Sequence, residues 1–123
     1  MSRERKCIGR QGEEVAAAHL AREGYRIIAR NYRCPFGEVD IVAQEGPILV
    51  FVEVKSRRSD RYGDPQQAVD FRKQKKISQI ALHYLSAHHL ANQPSRFDVV
   101  AVRLGPGGSR VELIRDAFEL AGC

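Results

Sequence analysis

The sequence predicts a three-layer α/β/α fold on a central mixed sheet, and three observations predict it. The run Ile48-Leu-Val-Phe-Val-Glu-Val54 is almost continuously apolar, as in a strand covered on both faces. Two stretches, ending near Glu23 and Leu90, keep the spacing of amphipathic helices. The rest reads as short alternating runs separated by Gly and Pro turns. The resulting order is α-β-β-β-α-β-β, and the whole chain, residues 1–123, is read as one domain.

The first helix is expected over Gly9–Glu23, with Gly24 as its C-terminal cap. Ala16, Ala17 and Leu20 form its apolar stripe. At 100° per residue Glu13 falls about 20° from Leu20, inside that stripe, whereas Glu14 lies about 120° away. A carboxylate aimed at the core face needs a reason, because burying an unpaired charge is costly. Tyr25–Arg33 alternates and is rich in β-formers, and Cys34-Pro-Phe-Gly37 ends it. A hairpin follows, Glu38–Ala43 up, Glu45-Gly-Pro47 around, Ile48–Lys55 back. Ser56–Asp64 is expected to be a basic loop carrying Arg57, Arg58 and Arg61. Asp64-Pro65 and Asp70 both offer starts for the second helix, whose Ile77, Ile80, Ala81, Tyr84 and Leu85 share a face. Arg96–Leu104, the turn Gly105-Pro-Gly-Gly108 and Val111–Ile114 close the chain as a second hairpin.

Composition narrows the function classes. The chain is 43% hydrophobic and 28% charged, with net charge +5, which leans toward a polyanionic partner such as nucleic acid. The 15 acids dilute that field, so a merely basic globular protein fits the charge as well. Three scattered cysteines with no Cys-x-x-Cys pair support neither a disulfide framework nor a zinc knuckle. They read as free thiols of a cytoplasmic protein. The charged start, with no apolar stretch behind it, does not read as a secretory leader. No run is long enough for a membrane-spanning helix, so no membrane partner is expected.

Strand alternation puts Glu53 and Lys55 on one face at the end of the apolar strand. Pairing across the turn near Gly46-Pro47 sets Asp40 roughly opposite Glu53. Glu13 completes the patch if its helix packs there. Such a set suits phosphodiester cleavage: hard carboxylate oxygens hold Mg²⁺ or Mn²⁺, with Asp40, Glu53 and Glu13 as ligands. Lys55 adds positive charge against the transition state, and beside carboxylates it suits an electrostatic role better than that of a base. From residues alone the same set also reads as a half-buried ion pair at a strand end.

The runs Gly12-Glu-Glu14, Arg30-Asn-Tyr-Arg33, Gly37-Glu-Val-Asp-Ile-Val42, Val50-Phe-Val-Glu-Val-Lys55, Arg57 and Arg96-Phe-Asp-Val-Val100 resemble the YraN family of small bacterial proteins. The resemblance covers nearly the whole chain. It implies a restriction-endonuclease-like fold of the PD-(D/E)XK superfamily, similar to archaeal Holliday junction resolvases. It implies a helical acid at Glu13, the motif aspartate at Asp40, the motif glutamate at Glu53 and the motif lysine at Lys55. Val39 stands where the superfamily's proline precedes the aspartate. Ile80, four residues before Tyr84, replaces the glutamine of the Gln-x-x-x-Tyr helix signature.

Other residues carry weaker expectations. Arg57, Arg58 and Arg61 flank the motif strand and can grip a nucleic-acid backbone, or form a solvated basic loop. Lys73, on the same wheel face as Ile77, Ile80 and Tyr84, can reach a phosphate or snorkel to solvent. Glu38 shares a face with Asp40 and can support the site as a further acid behind it, with surface exposure its expected fate. Asp98 is expected to pair with Arg96 at a strand end. His83, His88 and His89 lack an accompanying Cys or carboxylate at ligand spacing, so no zinc site is expected. The functions in view are a metal-dependent endonuclease acting on DNA, including branched or repair intermediates, and a non-catalytic nucleic-acid-binding module. Resolution of junctions would call for a homodimer, since two strands are cut in symmetry.

Overall fold

The structure is a computed structural model and describes residues 3–58 and 69–120, with side chains from residue 8 onward in the first helix. Helix α1 (Arg3–Arg22) leads into strands β1 (Arg26–Cys34), β2 (Gly37–Glu45) and β3 (Ile48–Arg58). Helix α2 (Phe71–Ala87) precedes β4 (Ser95–Gly105) and β5 (Gly108–Phe118). The strands form one sheet in the order β1-β2-β3-β4-β5. Pairing is parallel between β3 and β4 and antiparallel elsewhere. The mixed sheet, its strand order and a helix on each face fit a restriction-endonuclease-like fold.

Local chemistry accounts for the boundaries. The α1 C-terminus closes with Gly24 at φ +94° and Tyr25 N–H donating to Leu20 O at 2.9 Å, a Schellman-type closure that glycine adopts without strain. Asp70 caps α2, its side chain accepting from Lys73 N–H at 2.9 Å. The hairpins turn through two residues each: Pro35-Phe36, Gly46-Pro47 and Pro106-Gly107. Asp64-Pro65, the other start considered for α2, lies outside the described residues.

Two apolar layers sandwich the sheet. On the α1 side, Ala16 and Leu20 pack with Ile41, Val50, Val52, Val54, Val100 and Val102. On the α2 side, Ile77, Ile80, Ala81, Tyr84 and Leu85 pack with Val42, Leu49, Phe51, Phe97 and Val99. β3 supplies both layers in alternation, which is why its run is apolar throughout.

Three differences from the sequence reading have simple causes. β3 runs on to Arg58 because its pairing with β4 continues through Arg57↔Arg103 and Arg58↔Leu104. Arg57 and Arg58 therefore sit on a strand and not in a loop, while Arg61 lies outside the described residues. β5 extends over 11 residues although its alternation is weak, because β4 provides a full-length partner. α2 ends at Ala87, where the cap His88 N–H reaches back to Ser86 and Tyr84 carbonyls.

Candidate active site

The site forms where the β2–β3 ladder stops. Backbone pairing runs from Glu45↔Ile48 to Ile41↔Val52. One step further, the Asp40 carboxylate takes the place of a backbone acceptor, Oδ2 accepting from Val54 N–H at 2.7 Å. Val39 joins the α2-side layer whereas Ile41 joins the α1-side layer. Residues two apart in a regular strand share a face, so β2 turns over at Asp40. Across from it on β1, between the pairs Arg30↔Ile41 and Tyr32↔Val39, Asn31 takes φ +56°. Asn tolerates this left-handed conformation better than most residues.

Glu53 continues the Phe51 side of β3 and faces α2. It is only 5% exposed, and its Oε2 is buried with no hydrogen-bond partner among the described residues. Lys73 Nζ lies 3.7 Å from that oxygen. Burial first, then a hydrogen bond to Asp40 and repulsion by its charge, push the Glu53 carboxyl up to about 9, while Lys73 and Lys55 pull it back. Lys55 lies two residues on, half-buried on the same side of the strand.

Glu13 reaches the site from α1. It is half-buried, and its pKa is raised by burial and by the Asp40 charge, against the pull of Arg30 and Asn31. Gly12 makes the approach possible: a Cβ there would overlap the Ser56 side chain, so α1 rests directly on the end of β3. Glu14 instead turns outward to Arg30, at 2.9 Å. With its amide nitrogen facing the acids, the orientation that satisfies both amide atoms, Asn31 donates to Glu13 Oε1 and Glu38 Oε1 at 3.0 Å each. Glu38 also holds Arg33 Nε at 2.7 Å.

The structure thus brings Asp40, Glu53, Lys73 and Glu13 into one neighbourhood, with Lys55 acting on Glu53 through its charge. Among the described residues no three His, Cys, Asp or Glu side chains converge tightly enough to enclose an ion on their own. Asp40 and Glu53 are the pair in direct apposition, and Glu13 stands beside Asp40. Sequence reasoning missed Asn31, for which an asparagine inside a β-rich run was the available signal. Glu38, expected on the face of Asp40 and at the surface, keeps a side chain 35% exposed and pairs with the more exposed Arg33.

On the α1 face of the sheet lies a separate cluster. Asp98, fully buried, accepts from Tyr25 Oη at 2.6 Å, Arg96 Nε at 2.8 Å and Asp116 N–H at 3.0 Å. Arg96 also pairs with Glu45 at 2.6 Å, and burial with Asp98 raises the Tyr25 pKa. The expected Arg96–Asp98 pair is present within this larger network. His88 stacks on Tyr84, with ring centroids 4.0 Å apart.

Residues 12–102 match the model of a family described as "Uncharacterised protein family UPF0102". A UPF0102 protein of Syntrophus aciditrophicus (strain SB) is 60% identical over 92% of this chain and 89% of its own. Another, from Geobacter sulfurreducens, is 52% identical over 98% of this chain and 94% of its own. Among solved structures, SfsA of Pyrococcus furiosus in complex with Ca²⁺ aligns with 89% of this chain at 15% identity and a TM-score of 0.40. This chain spans 62% of that one, under two thirds of its length.

Proposed function

From the premise that this chain belongs to the UPF0102 family, we propose that it is a divalent-cation-dependent endonuclease acting on DNA. One observation carries the reading: two carboxylates, Asp40 and Glu53, are pressed together in a half-buried corner, and one Glu53 oxygen has no hydrogen-bond partner among the described residues. Such a pair needs a shared proton or a cation.

The donor set fits Mg²⁺ or Mn²⁺. Asp40 and Glu53 would hold the ion directly and Glu13 from α1, through water where it does not reach, since Mg²⁺ usually keeps several waters. When bound, the cation supplies charge stabilisation at the scissile phosphate and acidifies a water. The chain's own groups do the rest. Lys55 and Lys73 place positive charge beside the phosphate as negative charge develops there. Asn31 keeps Glu13 and Glu38 from drifting apart. Arg57, Arg58 and Arg61 supply backbone contacts. No helix among the described residues is long and apolar enough to cross a membrane.

A second reading, a nucleic-acid-binding module that keeps the fold without cleaving, draws on two observations. No three potential ligands are preassembled among the described residues, and the Lys73 ammonium already stands 3.7 Å from Glu53 Oε2. Calorimetric titration with Mg²⁺ and Mn²⁺, alongside cleavage of plasmid, linear duplex and four-way DNA, separates the two. The nuclease reading expects metal binding in the wild type, none in Asp40→Asn, and cleavage slowed about 10²–10³-fold by Lys55→Ala with metal still bound. Wild-type protein that binds neither ion sinks it. Metal binding with no cleavage of any DNA selects the binding module.

A further inference from the structure

Beyond Lys73, α2 presents charge that the proposed cleavage chemistry leaves unused. Its 17 residues contain no Asp or Glu, and its first two turns carry Arg72, Lys73, Lys75 and Lys76. Lys73 is held by Glu53, whereas Arg72, Lys75 and Lys76 have no ion-pair partner among the described residues. On the helix surface Lys73, Lys76 and His83 fall within about 80° of one another. They span about 15 Å along the axis.

This stripe ends at an exposed aromatic. Lys76 lies along the β1–β2 turn, its Cδ and Cε 3.4 Å from where a Cβ of Gly37 would sit. Beside it in the turn, Phe36 is 46% exposed. Its ring meets His83 at 6.0 Å and 68°, an edge-to-face contact and not a stack, and nearly half of the residue stays open to solvent. Pro35 and Gly37 (φ +136°) hold the turn that displays it. One continuous path therefore leads from Glu53 through Lys73 and Lys76 to Phe36.

Cations that track a phosphate backbone toward an exposed aromatic ring are the two elements of single-strand recognition, since every base offers a π-face. We propose that this path binds a nucleic-acid strand, its phosphates along Lys73 and Lys76 and one unpaired base stacked on Phe36. The substrate class would then be DNA with a single-stranded or unstacked segment next to the cleavage site, and not intact duplex. The proposal deepens the nuclease reading but concerns binding alone. Intact duplex keeps its bases stacked on one another and gives Phe36 nothing to receive.

Fluorescence anisotropy without divalent ions tests it, using a short labelled single strand and a blunt duplex of the same sequence. Wild type should favour the single strand. Phe36→Ala should lower single-strand affinity about tenfold and leave duplex affinity unchanged. Phe36→Leu keeps apolar bulk for folding but lacks the π-face, and should lose as much. Phe36→Trp should retain binding. Lys76→Ala should weaken both ligands and flatten the salt dependence by about one phosphate contact. Single-strand binding indifferent to Phe36→Ala and Phe36→Leu overturns the proposal, even if the protein cleaves DNA. It is also overturned if those changes alter only the oligomeric state by sedimentation, because the face then receives a second copy. Phe36-dependent binding without cleavage supports it while removing the nuclease.

Discussion

Glu53, buried against the Asp40 charge, shapes the pH response of the molecule. Without a cation, the folded state keeps a proton on Glu53 up to about pH 9, whereas the unfolded chain releases it near the ordinary carboxylate value of 4.5. Between those values the folded state binds more protons, so stability falls as pH rises. Melting curves from pH 5 to 9 should therefore show a declining Tm, and Mg²⁺ or Mn²⁺ should flatten the decline if it binds there. A Tm that rises over this range contradicts the apposition of the two acids. Asp40→Asn removes the repulsion while its side-chain oxygen can still accept from Val54 N–H. It should raise the cation-free stability by about 1 kcal/mol, a few degrees of Tm, and abolish the response to metal. An ion pair of purely structural value would instead be weakened by the same change.

At the scale of elements, the seating of α1 on β3 depends on Gly12. Gly12→Ala should cost about 1–3 kcal/mol, since the added methyl must push Ser56 or the whole helix aside. It should also reduce cation affinity, because Glu13 is the next residue along the helix. Gly9 is the control on the same helix: a Cβ there meets nothing within 4 Å. Gly9→Ala should be neutral or stabilise by about 0.5–1 kcal/mol through helix propensity. Equal Tm changes in the two variants would deny the close contact. Elements of this kind were legible in the sequence where a local rule governs them. Gly24 marked the end of α1, Asp70 the start of α2, and the apolar run of β3 its central place. Glu13 was recognised because a wheel needs only the residue's own helix. What alternation could not show was set by partners distant in sequence. β3 overran its expected end because β4 lies alongside, and Asn31 joined the site because it takes a left-handed conformation opposite the point where β2 turns over.

At the scale of the whole molecule, the sheet separates two polar clusters that share no residue. The Tyr25–Asp98–Arg96–Glu45 network lies on the α1 face, and Glu53 with Lys73 lies on the α2 face. Tyr25→Phe leaves the buried Asp98 one donor short and should destabilise the fold by about 1–3 kcal/mol. Cation affinity and any cleavage should stay at wild-type levels at temperatures where the variant is folded. Combined with Asp40→Asn, its effect on stability should add within about 0.5 kcal/mol, as for sites without shared partners. Non-additivity beyond that would mean the faces communicate through the strands.

Where the β2–β3 ladder ends, the Val54 amide donates to a carboxylate of the site. Its proton is thus a resident spectroscopic reporter: whatever draws electron density from Asp40, a proton or a cation, changes the shielding of that one nucleus. A single backbone resonance in a ¹⁵N-labelled sample would register occupancy of the site with no ligand labelled and no catalysis required.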